Sequence, residues 1–352
     1  MTLRNIQLGG RTIGKGAPVF VIAELSANHN QNFDQAIRII QAAKDAGADA
    51  VKLQTYTADT ITYRSDKECF RIAGGTLWDG RVLHDLYREA YTPWEWQPKL
   101  KRAAEDLGLQ LFASAFDETA VDFLEKMNVP AHKVASFELV DIGLIQKMAR
   151  TRKPLIMSTG MASTAEIEEA VQAAQEAGAT EIALLKCTSA YPAPPEEANL
   201  RTIPELACHF DCPAGLSDHT MGTAVPVAAV TLGACIVEKH LCLNRRDGGP
   251  DSGFSLEPRE FKEMVDAVRM AEKALGVVQF GAGAREANGL KFRRSLFVVE
   301  NVKRGDVFTK SNVRSIRPAN GLHPRHLEEV LGHCAACDID GGTPLEWKLV
   351  AR

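Results

Sequence analysis

Two short stretches, Pro213-Ala-Gly-Leu-Ser-Asp-His-Thr220 and Cys235-Ile-Val-Glu-Lys-His-Leu241, gather the residue types that could do chemistry. Each begins with small or apolar residues fit for a buried strand. Each ends in polar groups: Ser217, Asp218 and His219 in one, Glu238, Lys239 and His240 in the other. Residues 221–234 between them are mostly small and apolar, long enough for one helix. A strand, a helix and a second parallel strand would set His219 and His240 side by side at the carboxyl edge of a sheet, where α/β proteins keep their active sites. Two neutral imidazoles leave most coordination positions of a divalent ion open, which suits a catalytic metal that also takes water and substrate. Asp218 and Glu238 are candidates for supporting those imidazoles from behind.

Other apolar runs finish in the same way. Glu24, Lys52, Ser114, Lys133 with Ser136 and Glu138, Ser158 and Lys186 all stand at or just past the ends of strand-like segments. Lys52 alternates with Val51 and Leu53, so its side chain opposes theirs and points into the mouth of the sheet. With Lys133, and Lys186 as a further candidate, it would make a cationic floor for phosphate or carboxylate. Ser114, Ser136 and Ser217 would add hydroxyl donors to fix an anion's orientation. Glu24 is either a structural acceptor or a ligand for a polar substrate. Tyr191, in the rigid segment Tyr191-Pro-Ala-Pro-Pro195, is free to face a ligand, and Asp251 offers a further carboxylate after the second histidine strand.

The elements that must position these groups alternate. Strands are expected at residues 19–24, 50–54, 109–114, 132–136, 155–158 and 181–186, followed by the two opening stretches. Helices are expected at 34–46, 93–107, 118–127, 142–151, 164–177 and 258–275, with an insertion at 55–92 that holds Gly74-Gly75 and Trp78. Gly47, Gly108, Gly178 and Gly233 each end a helix just before a strand. Eight strand-helix units predict a closed (β/α)8 TIM barrel, an α/β fold, over residues 1–280. No G-x-G-x-x-G follows the first strand, which argues against a doubly wound sheet. Residues 281–292 read as a linker. Residues 293–352 form a small second domain with ten basic and seven acidic residues.

Bulk properties narrow the function. The formal charge is −4, and no basic run or basic-aromatic stripe argues for nucleic acid. No apolar run approaches the roughly 20 residues that span a bilayer. Residues 1–8 lack a signal-peptide core, so a cytoplasmic protein is expected, and its eight cysteines, Cys334-Ala-Ala-Cys337 among them, are expected as free thiols.

Several of these segments, taken in order, resemble the sialic acid synthase family. They are Glu24 through His29, Val51-Lys-Leu-Gln-Thr55, Lys133-Val-Ala-Ser136, Ser158-Thr-Gly160, Lys186-Cys-Thr-Ser189 with Tyr191-Pro192, Gly215-Leu-Ser-Asp-His219, Glu238-Lys-His240 and Arg317-Pro-Ala-Asn-Gly321. The resemblance covers nearly the whole chain and includes a C-terminal antifreeze-like (SAF, β-clip) domain. Ser26-Ala-Asn-His29, Gln54-Thr-Tyr-Thr57, Gly74-Gly-Thr-Leu-Trp-Asp79 and Gly321-Leu-His-Pro324 are most similar to the branch that makes pseudaminic acid.

The resemblance implies a transferase that condenses phosphoenolpyruvate with an open-chain amino-sugar aldehyde and releases phosphate. For this branch the sugar is 2,4-diacetamido-2,4,6-trideoxy-altropyranose. It implies Mn2+ or Mg2+ on His219 and His240, and phosphoenolpyruvate on Lys52, Ser114, Lys133, Ser136, Ser189 and Ser217. Sugar contacts fall on Glu24, Tyr191, Asp251 and Arg317, the last reaching in from the partner of a domain-swapped homodimer. Ser189 stands where the N-acetylneuraminate branch has an asparagine, and Ser114-Ala-Phe where it has Thr-Pro-Phe. N-acetylneuraminate and legionaminic acid synthesis are the neighbouring alternatives. On the residues alone a metal-dependent pyruvate aldolase or lyase stays open, and a sugar-binding protein without turnover is disfavoured by the polar rim.

Overall fold

In the computed structural model, which describes residues 4–351, eight parallel strands close into a barrel. Ahead of it lies a hairpin of β1 (Ile6–Leu8) and β2 (Arg11–Ile13). The barrel strands are β3 (Phe20–Glu24), β4 (Ala50–Thr55), β5 (Gln110–Ala115), β6 (His132–Val134), β7 (Leu155–Ser158), β8 (Ile182–Cys187), β9 (Ala214–Asp218) and β10 (Ile236–His240). They pair in sequence order, and β10 closes the ring against β3. Each strand is buried on both faces, as parallel strands under a coat of helices must be.

The connecting helices start and stop where local chemistry says they should. The Asn32 side chain accepts from Gln35 N ahead of helix Phe33–Ala46, and Ser163 and Glu166 cap each other's backbone ahead of Thr164–Glu176. The four glycines expected at helix ends all take positive φ, from 73° to 109°. Three helices have no counterpart in the sequence reading. Thr202–Phe210 bridges β8 and β9, and the 55–92 insertion folds Ala58–Ile61 and Leu83–Ala90.

The hairpin was also not anticipated. Gly9 and Gly10 both have positive φ, the two-residue turn that matches strand twist. Ile6, Leu8 and Ile13 join the barrel core. Gln7 N donates to Glu181 Oε1 at 2.6 Å, just before β8, and Gly9 lies against Gln110 at the start of β5. The hairpin therefore covers the amino-terminal mouth and leaves the opposite mouth for the site. By period-two alternation Ile22, Phe112 and Ile236 share the inner faces with Glu24, Ser114 and Glu238. The barrel is thus apolar toward its plugged end and polar toward its open end.

The first compact unit ends at Gly276 and the second begins at Val277, so residues 281–292 lie in the second. There β11 (Ser295–Val298) and β12 (Val313–Ile316) pair antiparallel over a core of Leu296, Val298, Phe308, Val313 and Leu345. Elsewhere this unit is held by single bridges such as Val302 with Ile339. All eight cysteines are free, and among the described residues no helix is long and apolar enough to cross a membrane.

Candidate active site

The open mouth is built on two lysines with opposite surroundings. Lys52 Nζ touches the Glu24 carboxylate, lies 3.6 Å from Glu238 Oε1 and donates to Ser114 Oγ at 3.3 Å. Glu24 is fully buried, and burial pushes its carboxyl up to about 7 against the pull of Lys52. Burial works against the Lys52 ammonium, but Glu238 and Glu24 outweigh it and raise its pKa. Lys133 is as deeply buried, yet among the described residues no carboxylate pairs with it. Its Nζ donates to Ser158 Oγ at 2.6 Å and to Val134 O at 3.0 Å, and burial lowers its pKa. Glu238 offsets part of that burial from a distance, but a buried ammonium without a direct ion pair costs several kcal/mol, so this corner is suited to receive an anion.

Beside it is a cradle of oxygens. Gly160 N donates to Ser136 Oγ at 3.3 Å. A Cβ on Gly160 would stand 2.5 Å from Ser189 Oγ and 2.7 Å from Ser136 Oγ, so only glycine admits both hydroxyls. Ser217 Oγ on β9 donates to Glu238 Oε1 at 3.2 Å, next to the Lys52 cluster.

His219 and His240 project from the ends of β9 and β10 with ring centroids 5.4 Å apart. His219 Nδ1 lies 2.8 Å from Thr188 O. A carbonyl can only accept, so Nδ1 carries a hydrogen and, in the neutral ring, Nε2 keeps its lone pair; burial works against charging this ring, but Cys187 outweighs it and raises its pKa. His240 Nδ1 is buried with no partner, and burial holds that ring well below its usual pKa, hence neutral. A free lone pair on one ring and an orphaned nitrogen on its neighbour fit a shared cation. Among the described residues no group of three or more His, Cys, Asp or Glu is placed to hold a metal ion. The chain would thus supply two ligands and leave the rest to water and substrate.

The rim is set by the loops. Asp251 accepts from Ser26 Oγ and, at 3.3 Å, from Ala27 N, while Gln54 Nε2 donates to Ser26 Oγ at 2.9 Å. Tyr191 lies over His219 at 4.4 Å and Phe254 against His240 at 4.9 Å. Glu138, a strand-end residue given no role above, has one buried oxygen without a partner and a carboxyl pushed up to about 7 by burial. Arg317 follows β12 in the second unit and is exposed.

Three expectations are corrected. Asp218 does not support His219: it pairs with Lys239 at 2.5 Å on the outer face, where alternation puts both residues. Lys186 also points outward and donates to Thr188 Oγ1 at 3.2 Å, so it is no part of the cationic floor. Glu238 serves Lys52 and Ser217, and makes no hydrogen bond to either histidine. The partner of His219 is instead the Thr188 carbonyl, a backbone group with no signature in sequence.

A protein-family model described as the NeuB family matches residues 39–280, and one described as the SAF domain matches residues 293–351. The chain is 44% identical over 328 residues to a pseudaminic acid synthase of Campylobacter jejuni, which spans 93% of this chain and 95% of that one. It is 43% identical over 329 residues to a pseudaminic acid synthase of Helicobacter pylori, covering 93% and 96%. The solved N-acetylneuraminic acid synthetase of Leptospira borgpetersenii superposes with a TM-score of 0.73 at 32% identity, over 82% of this chain and 95% of that one. The strand-end arrangement and these matches agree: the chain belongs to the NeuB family and carries a SAF domain after its barrel.

Proposed function

We propose that this protein is a pseudaminic acid synthase. It condenses phosphoenolpyruvate with the open-chain aldehyde of 2,4-diacetamido-2,4,6-trideoxy-altropyranose and water, giving pseudaminic acid and phosphate. The relatives at 43–44% identity support the choice of sugar. The observation that carries the chemistry is Lys133, a buried ammonium without an ion-pair partner among the described residues, set among hydroxyls in the barrel mouth that also holds the His219–His240 pair.

In this reading Lys133 and Lys52 grip the phosphate and carboxylate of phosphoenolpyruvate, and Ser114, Ser136, Ser189 and Ser217 fix its orientation. Carbon 3 of the enol attacks the aldehyde carbon, water adds at carbon 2, and the bond from carbon 2 to the phosphate oxygen breaks. Glu24, with a carboxyl near 7, is suited to hand a proton to the aldehyde oxygen as it becomes a hydroxyl. Tyr191 and Asp251 line the sugar's side. Mn2+ or Mg2+ on His219 and His240 would supply Lewis-acid polarisation of the aldehyde. Arg317 is taken to complete the site of a partner subunit in a domain-swapped homodimer. Eight free thiols suit the reducing cytoplasm.

The test is a substrate panel with phosphoenolpyruvate and manganese, read as phosphate release. The altro-configured diacetamido sugar should react at least tenfold faster than N-acetylmannosamine or the legionaminic precursor. A preference for either of those would reassign the branch. Pyruvate turnover without phosphate release would replace the synthase by an aldolase.

A further inference from the structure

The insertion between β4 and β5 reaches the rings over the mouth with Trp78. Trp78 rests against Tyr191 at 5.6 Å and against Phe254 at 6.3 Å, and those two rings lie on His219 and His240 respectively. The indole N–H, its one polar group, donates to Pro250 O at 2.9 Å. The tip that carries it is shaped by Asp79, whose carboxylate accepts from Gly75 N, Thr76 N and Thr76 Oγ1 at 2.7–2.9 Å. The result is an aromatic wall one ring farther from the histidines than Tyr191 and Phe254, with no hydrogen-bonding group left to offer.

We propose that Trp78 sets substrate choice, selecting a sugar whose end far from the aldehyde is a methyl group over one that ends in hydroxymethyl. The inference rests on the synthase reading above. With the aldehyde carbon at the histidine pair, the far carbons of an extended sugar lie toward the Trp78 wall. A methyl group gains contact there. A hydroxyl pressed against it gives up water and finds no partner, a loss that corresponds to roughly tenfold to a hundredfold in kcat/KM.

The experiment measures kcat/KM of the full-length protein for a 6-deoxy diacetamido sugar and its 6-hydroxy analogue at saturating phosphoenolpyruvate. Wild type is compared with Trp78→Asn and Trp78→Phe. Wild type should favour the deoxy sugar by tenfold or more. Trp78→Asn should cut that ratio at least fivefold, chiefly through the sugar KM and with the phosphoenolpyruvate KM unchanged, while Trp78→Phe keeps most of the preference. An unchanged ratio in Trp78→Asn, with wild type still active on the deoxy sugar, overturns the inference and leaves the synthase reading standing. So does a Trp78→Phe ratio that collapses together with the phosphoenolpyruvate KM, because Trp78 then shapes the whole site. Wild type that consumes neither sugar overturns the synthase reading, and the inference with it.

Discussion

Lys52 and Lys133 are both buried at the barrel mouth, and replacing each by methionine should have opposite consequences for stability. Lys133 has no ion-pair partner among the described residues, and burial lowers its pKa although Glu238 acts the other way, so keeping its ammonium charged costs free energy in the folded chain. Lys133→Met removes that cost and gives up bonds from a charged donor to Ser158 Oγ and Val134 O, each worth about 1.5–3 kcal/mol. The two effects nearly cancel, so Tm should stay within a few degrees of wild type or rise. Lys52 is the counter-ion of Glu24 and Glu238. Lys52→Met leaves two buried carboxylates together, and breaking a buried pair in this way costs about 3–5 kcal/mol.

Activity should fall in both. A hydrogen bond from a charged donor is worth about 1.5–3 kcal/mol, which is roughly a 10- to 150-fold loss in kcat/KM for phosphoenolpyruvate. The assay is phosphate release with phosphoenolpyruvate varied at saturating sugar, set beside thermal and urea unfolding of the same preparations. The diagnostic result is Lys133→Met, stable and slow. Should Lys133→Met lose several kcal/mol while its phosphoenolpyruvate kinetics stay intact, Lys133 is a structural ammonium and the anion-site argument fails. Equal destabilisation of the two variants would remove the distinction drawn from their partners.

Three further outcomes are expected. His240→Ala should abolish turnover and reduce bound manganese while melting near wild type, because no hydrogen bond to His240 Nδ1 is lost; manganese binding of wild-type stoichiometry would exclude the histidine pair as its site. Arg317→Ala and His240→Ala, each inactive alone, should recover about one quarter of wild-type activity when mixed and refolded, since half the dimers then hold one complete site; no recovery would remove Arg317 from a partner's mouth. Glu138 is faced by Lys133 from β6, by Tyr87 from the insertion and by Asp141 downstream, and burial raises its carboxyl from an ordinary 4.5 to about 7. Between those values the unfolded chain has released a proton that the folded chain keeps, so wild-type stability falls as pH rises through that window. Glu138→Gln should therefore gain Tm relative to wild type from pH 5 to pH 8, and a pH-independent difference would show that the carboxyl titrates normally.

What was legible in the sequence is what depends on position along the chain. An apolar run that stops at Lys52, Ser114 or His240 announces both a parallel strand and the end at which it opens, because strand ends and chemistry are local. What stayed hidden depends on neighbours. The three-residue strands β1 and β2 are too short to display an alternation, and helix Thr202–Phe210 buries only Ile203 and Leu206, too few to mark a face. The misplacement of Asp218 has a different origin, since the rule that turns Lys52 inward was enough to turn Asp218 and Lys239 outward. If Ser217, Glu238 and His240 face the mouth, the residues between them cannot, and an Asp and a Lys on adjacent strands then have each other as partners. Charge at a strand end identifies the mouth. Only the parity of each charge within its strand separates Lys52, which faces the barrel mouth, from Lys239 and Lys186, which face outward.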